Sequence, residues 1–193
     1  TIGNGEAPYT RVVADVQHDL EGDSSISPLE PARCNKGAVA VTKHLCGAAT
    51  DSSLMALCRP PLSDYVGAVC LVPCCHQKIR NRDKYCNVEY LQSQGFCRTT
   101  HVGTRGGKLD VDFRTLLKLV SVSRADDLRD FEFKKFQILS MMGFARTREL
   151  GRKARRLLEE GRMDYLRKEG FHDARLITYC DESVTGDNLA IMA

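Results

Sequence analysis

The stretch "GAVAVTKHLCGAATDSSLMALCRPPLSDYVGAVCLVPCCH", residues 37–76, holds two compact apolar runs, "GAVAVT" at 37–42 and "VGAVCLVP" at 66–73. Each is rich in β-branched residues and short enough to read as a buried strand. Between them, Thr50 or Asp51 can N-cap a helix carrying Leu54, Met55, Leu57 and Cys58. Pro60-Pro61 then ends that helix. Strand, helix and strand in succession are the unit from which parallel sheets are built.

Upstream, "TRVVADVQHDL" at 10–20 begins β-branched and breaks into polar residues, as a short strand with a functional loop does. Downstream, residues 81–112 are mixed, with "VGTRGGKLD" a loop. Helical spacing returns in "FRTLLKLV" and in "DFEFKKFQILSMMGF", whose apolar residues read as core. The charged stretch from Arg146 to Gly170 predicts an amphipathic helix. Leu150, Ala154, Leu157 and Leu158 share one face, and Arg148, Arg152, Arg155 and Arg156 fall largely on others. "ARLITYC" and "LAIMA", joined by turn formers, predict a closing strand pair. The expectation is a single α/β domain over residues 1–193, its sheet covered on both faces.

Composition narrows the function classes. A net charge of +3 is too small for a polycation that coats nucleic acid without a shaped site, so any basic patch is local. Nine cysteines, an odd number that includes the adjacent pair Cys74-Cys75, fit a reducing compartment, cytoplasm or nucleus, better than a disulfide framework. No apolar run approaches the roughly 20 residues that span a bilayer; no membrane role is expected.

Ligands of open parallel sheets bind beyond the carboxyl ends of the strands. If the two runs are neighbours, Lys43, His44 and Cys46 lie beside Cys74, Cys75 and His76, and "ADVQHD" brings Asp15, Gln17, His18 and Asp19 to the same rim. Taken singly, a lysine or histidine after a strand is as often a surface residue, and a cysteine there a small hydrophobe. Recurrence at equivalent positions is what points to a shared pocket.

"KHLCGAATD" followed by an apolar strand running into "CCH" resembles the tRNA 2'-O-ribose methyltransferases that modify the acceptor stem at its fourth nucleotide. "ADVQHDL" and "GRKARRLLEEGRMDYLRKEGF…LITYC…DNLAIMA" are also similar to segments of that family, with Gly161-Arg162 and Tyr165-Leu166 at matching places. The resemblance implies a Rossmann-like methyltransferase sheet, mostly parallel with a C-terminal antiparallel strand pair, and S-adenosylmethionine as cofactor. It implies that Asp15, Val16 and Gln17 lie beside the donor's adenosine and that Lys43, His44, Leu45, Cys46 and Gly47 form a loop between donor methyl and acceptor. Cys74, Cys75 and His76 would border the acceptor, with tRNA as partner. This sequence departs from the family in having Gln77 after His76 and no tryptophan, and only ten residues precede "RVVADVQ". The family's glycine-rich donor loop and first strands are therefore expected to be missing from this stretch.

Methyl transfer to a ribose hydroxyl is a direct displacement that needs alignment and removal of a proton. Lys43, His44 and His76 are the candidate catalytic residues: imidazole titrates near neutrality, and an ammonium can hold phosphate or a developing alkoxide. Arg148, Arg152, Arg155 and Arg156 are candidate contacts to the tRNA backbone, or else a solvated helix face. Two other readings stay open. One is a zinc-binding interaction module drawing on Cys74, Cys75, His76, Cys86, Cys97 or His101, although adjacent cysteines chelate poorly. The other is a donor-free scaffold in an RNA-containing assembly.

Overall fold

The computed structural model describes residues 37–79, 85–96, 111–122, 141 and 143–193. The expected strand end at Asp15–Asp19, the loop at 102–110 and most of the helix over 130–144 lie outside them. Strand β1 (Ala38–Cys46), helix α1 (Ala49–Leu57) and strand β2 (Val66–Cys74) form the expected βαβ unit. Helices α2 (Val88–Ser93), α3 (Val111–Val122) and α4 (Phe144–Lys168) follow, then β3 (Arg175–Thr178) and β4 (Leu189–Met192).

The strand order is β1-β2-β4-β3. β1 and β2 are parallel, with Val39 opposite Ala68 and Cys46 opposite Cys74. β4 is antiparallel to both of its neighbours. The sheet is thus α/β but mixed rather than mostly parallel, since among the described residues only β1–β2 is a parallel neighbour pair. The cause is the position of β4: the chain reverses after β3, and the returning strand inserts beside β2 instead of lying outside it. Among the described residues, β1 is not covered on both faces: Val39 and Val41 are 60% and 69% exposed.

Two local expectations are corrected. β1 does not stop at Thr42 but continues through Cys46, because Lys43, Leu45 and Cys46 go on pairing with β2. The N-cap of α1 is Ala48, not Thr50 or Asp51. Thr50 instead donates its Oγ1–H back to the Leu45 carbonyl at 3.1 Å, and Asp51 is fully buried. Thr50 through Leu57 are all buried, so α1 is a core helix without a solvent face.

Helix α4 is the longest of the described elements. Thr147, Gly151, Ala154, Leu158, Arg162 and Leu166 are buried at intervals of three and four, one continuous stripe. Its upper half packs Ala154 and Leu158 with Leu91, Phe113, Leu116 and Val120. Its lower half packs Met163 and Leu166 with Leu54, Leu57, Leu71 and Ile191. Full burial of one such side chain is worth about 1.5–3 kcal/mol. Gly161 lets α4 approach the start of α2, since a Cβ there would fall 2.7 Å from Asn87 Cβ. The helix ends in a Schellman motif: Gly170 (φ 102) donates to the Arg167 carbonyl at 3.3 Å and Phe171 to Leu166 at 2.9 Å.

Candidate active site

The carboxyl ends of β1 and β2 lie side by side, so the first two of the three expected clusters do meet. Lys43 and His44 are exposed, Leu45, Cys46 and Cys75 are half-buried, and Gly47 is buried. The expected loop over Lys43–Gly47 is instead strand with a bulge. The register with β2 shifts between Lys43 and Leu45, and His44 sits at φ 64. The turn begins only at Gly47, whose N–H donates to the Cys74 carbonyl at 3.1 Å. Gly47 needs its φ of 61, and a Cβ there would press to 3.2 Å against the Lys78 backbone. Asp15, Val16 and Gln17 lie outside the described residues.

His76 is not at the rim. It is 1% exposed, and its Nε2–H donates to Glu159 Oε1. Glu159 in turn accepts from Arg162 Nη1 at 3.0 and 3.1 Å. Arg162 donates through Nη2 to Asp51 Oδ2 at 2.6 Å, and Asp51 also accepts from the Cys86 thiol at 3.2 Å. Burial opposes ionisation of Glu159, but the Arg162 guanidinium and His76 outweigh it and hold the carboxyl at about 2. Burial lowers the His76 value, and the positive charges of Arg162 and Arg155 add to this against the pull of Glu159. His76 is therefore neutral at pH 7, with its lone pair on Nδ1, a buried atom with no hydrogen-bond partner among the described residues. Burial and Asp51 push the Cys86 thiol well up.

The four candidate arginines line one cleft of about 270 Å³, together with Lys153, the facing ends of β3 and β4 at Thr178 and Leu189, and Cys180, Asp181, Glu182, Gly186 and Asn188 between them. Arg155, expected outside the apolar face, is 2% exposed and forms the cleft's inner wall. Its Nη1 pairs with Asp187 Oδ1 at 2.9 Å and donates to the Gly186 carbonyl, while Nη2 donates to the Pro73 carbonyl at 3.3 Å. The cleft thereby abuts the carboxyl end of β2. Arg152 reaches Glu182 at 2.7 Å, and Arg156 reaches Glu160 at 3.0 Å. Five cationic side chains line the cleft (Arg148, Arg152, Lys153, Arg155, Arg156) against two carboxylates (Asp181, Glu182), so it is locally basic despite the small overall charge. A larger cavity of about 540 Å³ lies beside Tyr90, Tyr165 and Lys168; of the candidate residues only Cys86, from the zinc reading, lines it.

Asp51, Glu159, Arg162 and Asp187 escaped the sequence reading as site-forming residues. Arg155, Glu159 and Arg162 follow one another at four and three, a helical spacing that was available as a signal. Of the zinc reading's ligands, Cys74 and Cys75 lie together, whereas His76 is engaged by Glu159 and Cys86 by Asp51; Cys97 and His101 lie outside the described residues. No described helix is long and apolar enough to cross a membrane.

The family model described as Methyltransferase TRM13 matches residues 4–193. The curated tRNA:m(4)X modification enzyme TRM13 of Vanderwaltozyma polyspora is 28% identical over 192 residues, covering 95% of this chain and 41% of that protein. Its namesake from Scheffersomyces stipitis is 29% identical over 182 residues, covering 90% and 40%. That of Eremothecium gossypii is 31% identical over 157 residues, covering 80% and 33%. The chain spans about two fifths or less of these relatives. No solved structure matches it.

Proposed function

Because the chain belongs to the TRM13 methyltransferase family, we propose that it forms the part of a tRNA-modifying enzyme in which a methyl group passes to a ribose 2'-hydroxyl of the acceptor stem. The observation that carries this reading is the continuity of two surfaces. The exposed Lys43 and His44 and the half-buried Cys46 and Cys75 occupy the β1–β2 strand ends, and Arg155 joins Pro73 of that end to the arginine cleft.

S-adenosylmethionine, when bound, supplies an electrophilic methyl whose bond to sulfur breaks as the bond to the ribose oxygen forms. The half-buried Leu45, Cys46 and Cys75 fit the weakly polar floor such a group needs. The exposed imidazole of His44 takes the hydroxyl proton, and the Lys43 ammonium holds a neighbouring phosphate or the developing alkoxide. His76, sealed beneath, acts through Cys75 as a positioning residue. Arg148, Arg152 and Arg156 contact tRNA phosphates, which fix register without reading sequence. The Rossmann-like sheet is part of the same proposal, with β1 and β2 as its parallel strands.

The test is transfer of labelled methyl from S-adenosylmethionine to tRNA by the full-length protein. His44→Ala and Lys43→Ala should lower transfer at least tenfold while tRNA retention holds. Undiminished transfer in both variants sinks the assignment.

A further inference from the structure

Three thiols meet at the ends of β1 and β2. The Sγ atoms of Cys46, Cys74 and Cys75 all lie within 4.8 Å of one another, and Cys46 and Cys74 approach to 3.4 Å. Successive strand residues ordinarily point to opposite faces, so adjacent cysteines diverge. Here Cys75 adopts φ 50, ψ 43, a left-handed conformation that breaks the alternation and keeps its thiol with that of Cys74. β1 does something similar: the register shift at His44, φ 64, brings Cys46 opposite Cys74. Among the described residues, His44 and Cys75 are the two non-glycine residues with positive φ. Each such conformation is strained for a residue with a Cβ. Both strained positions flank this one cluster.

We propose that Cys46, Cys74 and Cys75 form a three-thiolate site for a soft d10 cation of the Zn2+ or Cu+ class. Sulfur selects such ions over Mg2+ and Ca2+. With Zn–S bonds of about 2.3 Å, tetrahedral geometry places sulfurs about 3.8 Å apart. The present separations, from 3.4 Å up to at most 4.8 Å, bracket that value. On binding, each S–H proton passes to solvent as a sulfur–metal bond forms, and no electrons change hands. Cys46 and Cys75 are half-buried, which gives the ion a way in, and three protein ligands leave a fourth position open. This set differs from the zinc reading of the sequence, which lacked Cys46. It stands whether or not the same strand ends handle a methyl group.

The full-length protein, reduced and stripped of metal, is titrated with Co2+ as a spectroscopic stand-in and with Zn2+ against a chelating dye. Relative to the parent, Cys46→Ser and Cys75→Ser should each lose one equivalent of tight binding and the associated thiolate-to-cobalt charge-transfer band. Cys58→Ser and Cys180→Ser should keep both. Thermal melting checks that the variants fold. In the unsubstituted protein, Zn2+ should protect Cys46, Cys74 and Cys75 from alkylation at least tenfold, as read by peptide mass. Equal stoichiometry and spectra in parent and variants, or alkylation unaffected by Zn2+, overturns the proposal.

Discussion

Arg162 donates to Asp51 at 2.6 Å across 111 residues of sequence, with both side chains no more than 1% exposed. This pair ties the middle of α4 to the first turn of α1, the helix that leads away from the candidate site. Removing one member of a buried pair strands the other charge and costs about 3–5 kcal/mol. Arg162→Met should therefore lower the urea midpoint by that equivalent. A variant as stable as the parent would show that the pair does not hold the two helices.

Acid should loosen the same network in two stages. His76 has its folded value lowered below 6.5, so the unfolded chain binds the proton more readily, and stability falls as pH drops through 6.5. Glu159 has its folded value lowered from 4.5 to about 2, so its contribution is present above pH 4.5 and is lost as pH falls from there toward 2. Denaturant midpoints measured from pH 8 to pH 3 should fall throughout. Glu159→Gln should flatten the lower stage.

The cleft arginines should separate by burial. Arg152 and Arg156 are 40% and 61% exposed, so alanine at either should leave the melting temperature nearly unchanged. Each should weaken tRNA retention and reduce the slope of log affinity against log salt by about one. Arg155→Ala should instead destabilise by about 3–5 kcal/mol, since it removes a buried guanidinium that pairs with Asp187 and bonds the Gly186 and Pro73 carbonyls. Filter binding across a salt series and calorimetry distinguish the two classes.

His44 offers a separation of backbone from side chain. Glycine tolerates φ 64 and alanine does not. His44→Gly should exceed His44→Ala in stability by about 1 kcal/mol, although both remove the imidazole and should lose methyl transfer alike. Equal unfolding midpoints would mean that the bulge relaxes on substitution.

Gly161→Ala sets helix propensity, a gain of up to about 1 kcal/mol, against a Cβ contact of 2.7 Å. The obstructing atom is Asn87 Cβ, fixed to backbone, so the clash should win, with a net loss of about 1–3 kcal/mol by chemical denaturation.

The βαβ unit, the long amphipathic helix and the closing strand pair were legible because each announces itself through local periodicity. The place of β4 was not, since strand order depends on which edges meet in space and leaves no trace in the residues of "LAIMA". The arginine group was legible as a group, but Arg155 was misplaced. Charge marks it as outward, while its real partners Pro73 and Asp187 lie 82 and 32 residues away in sequence. The rim residues Lys43 and His44 were found by position in the chain, yet the bulge that aims them is a conformational event that no residue type encodes.

The antiparallel strand lodged between β2 and β3 carries a cost during vectorial synthesis. A nascent chain that has emerged only through α4 exposes one flank of β2 as a row of unpaired amides and carbonyls, open to other chains. Protection arrives only when residues 189–192 clear the ribosome, so a chaperone's occupancy time on this polypeptide should be set by the translation of that hairpin.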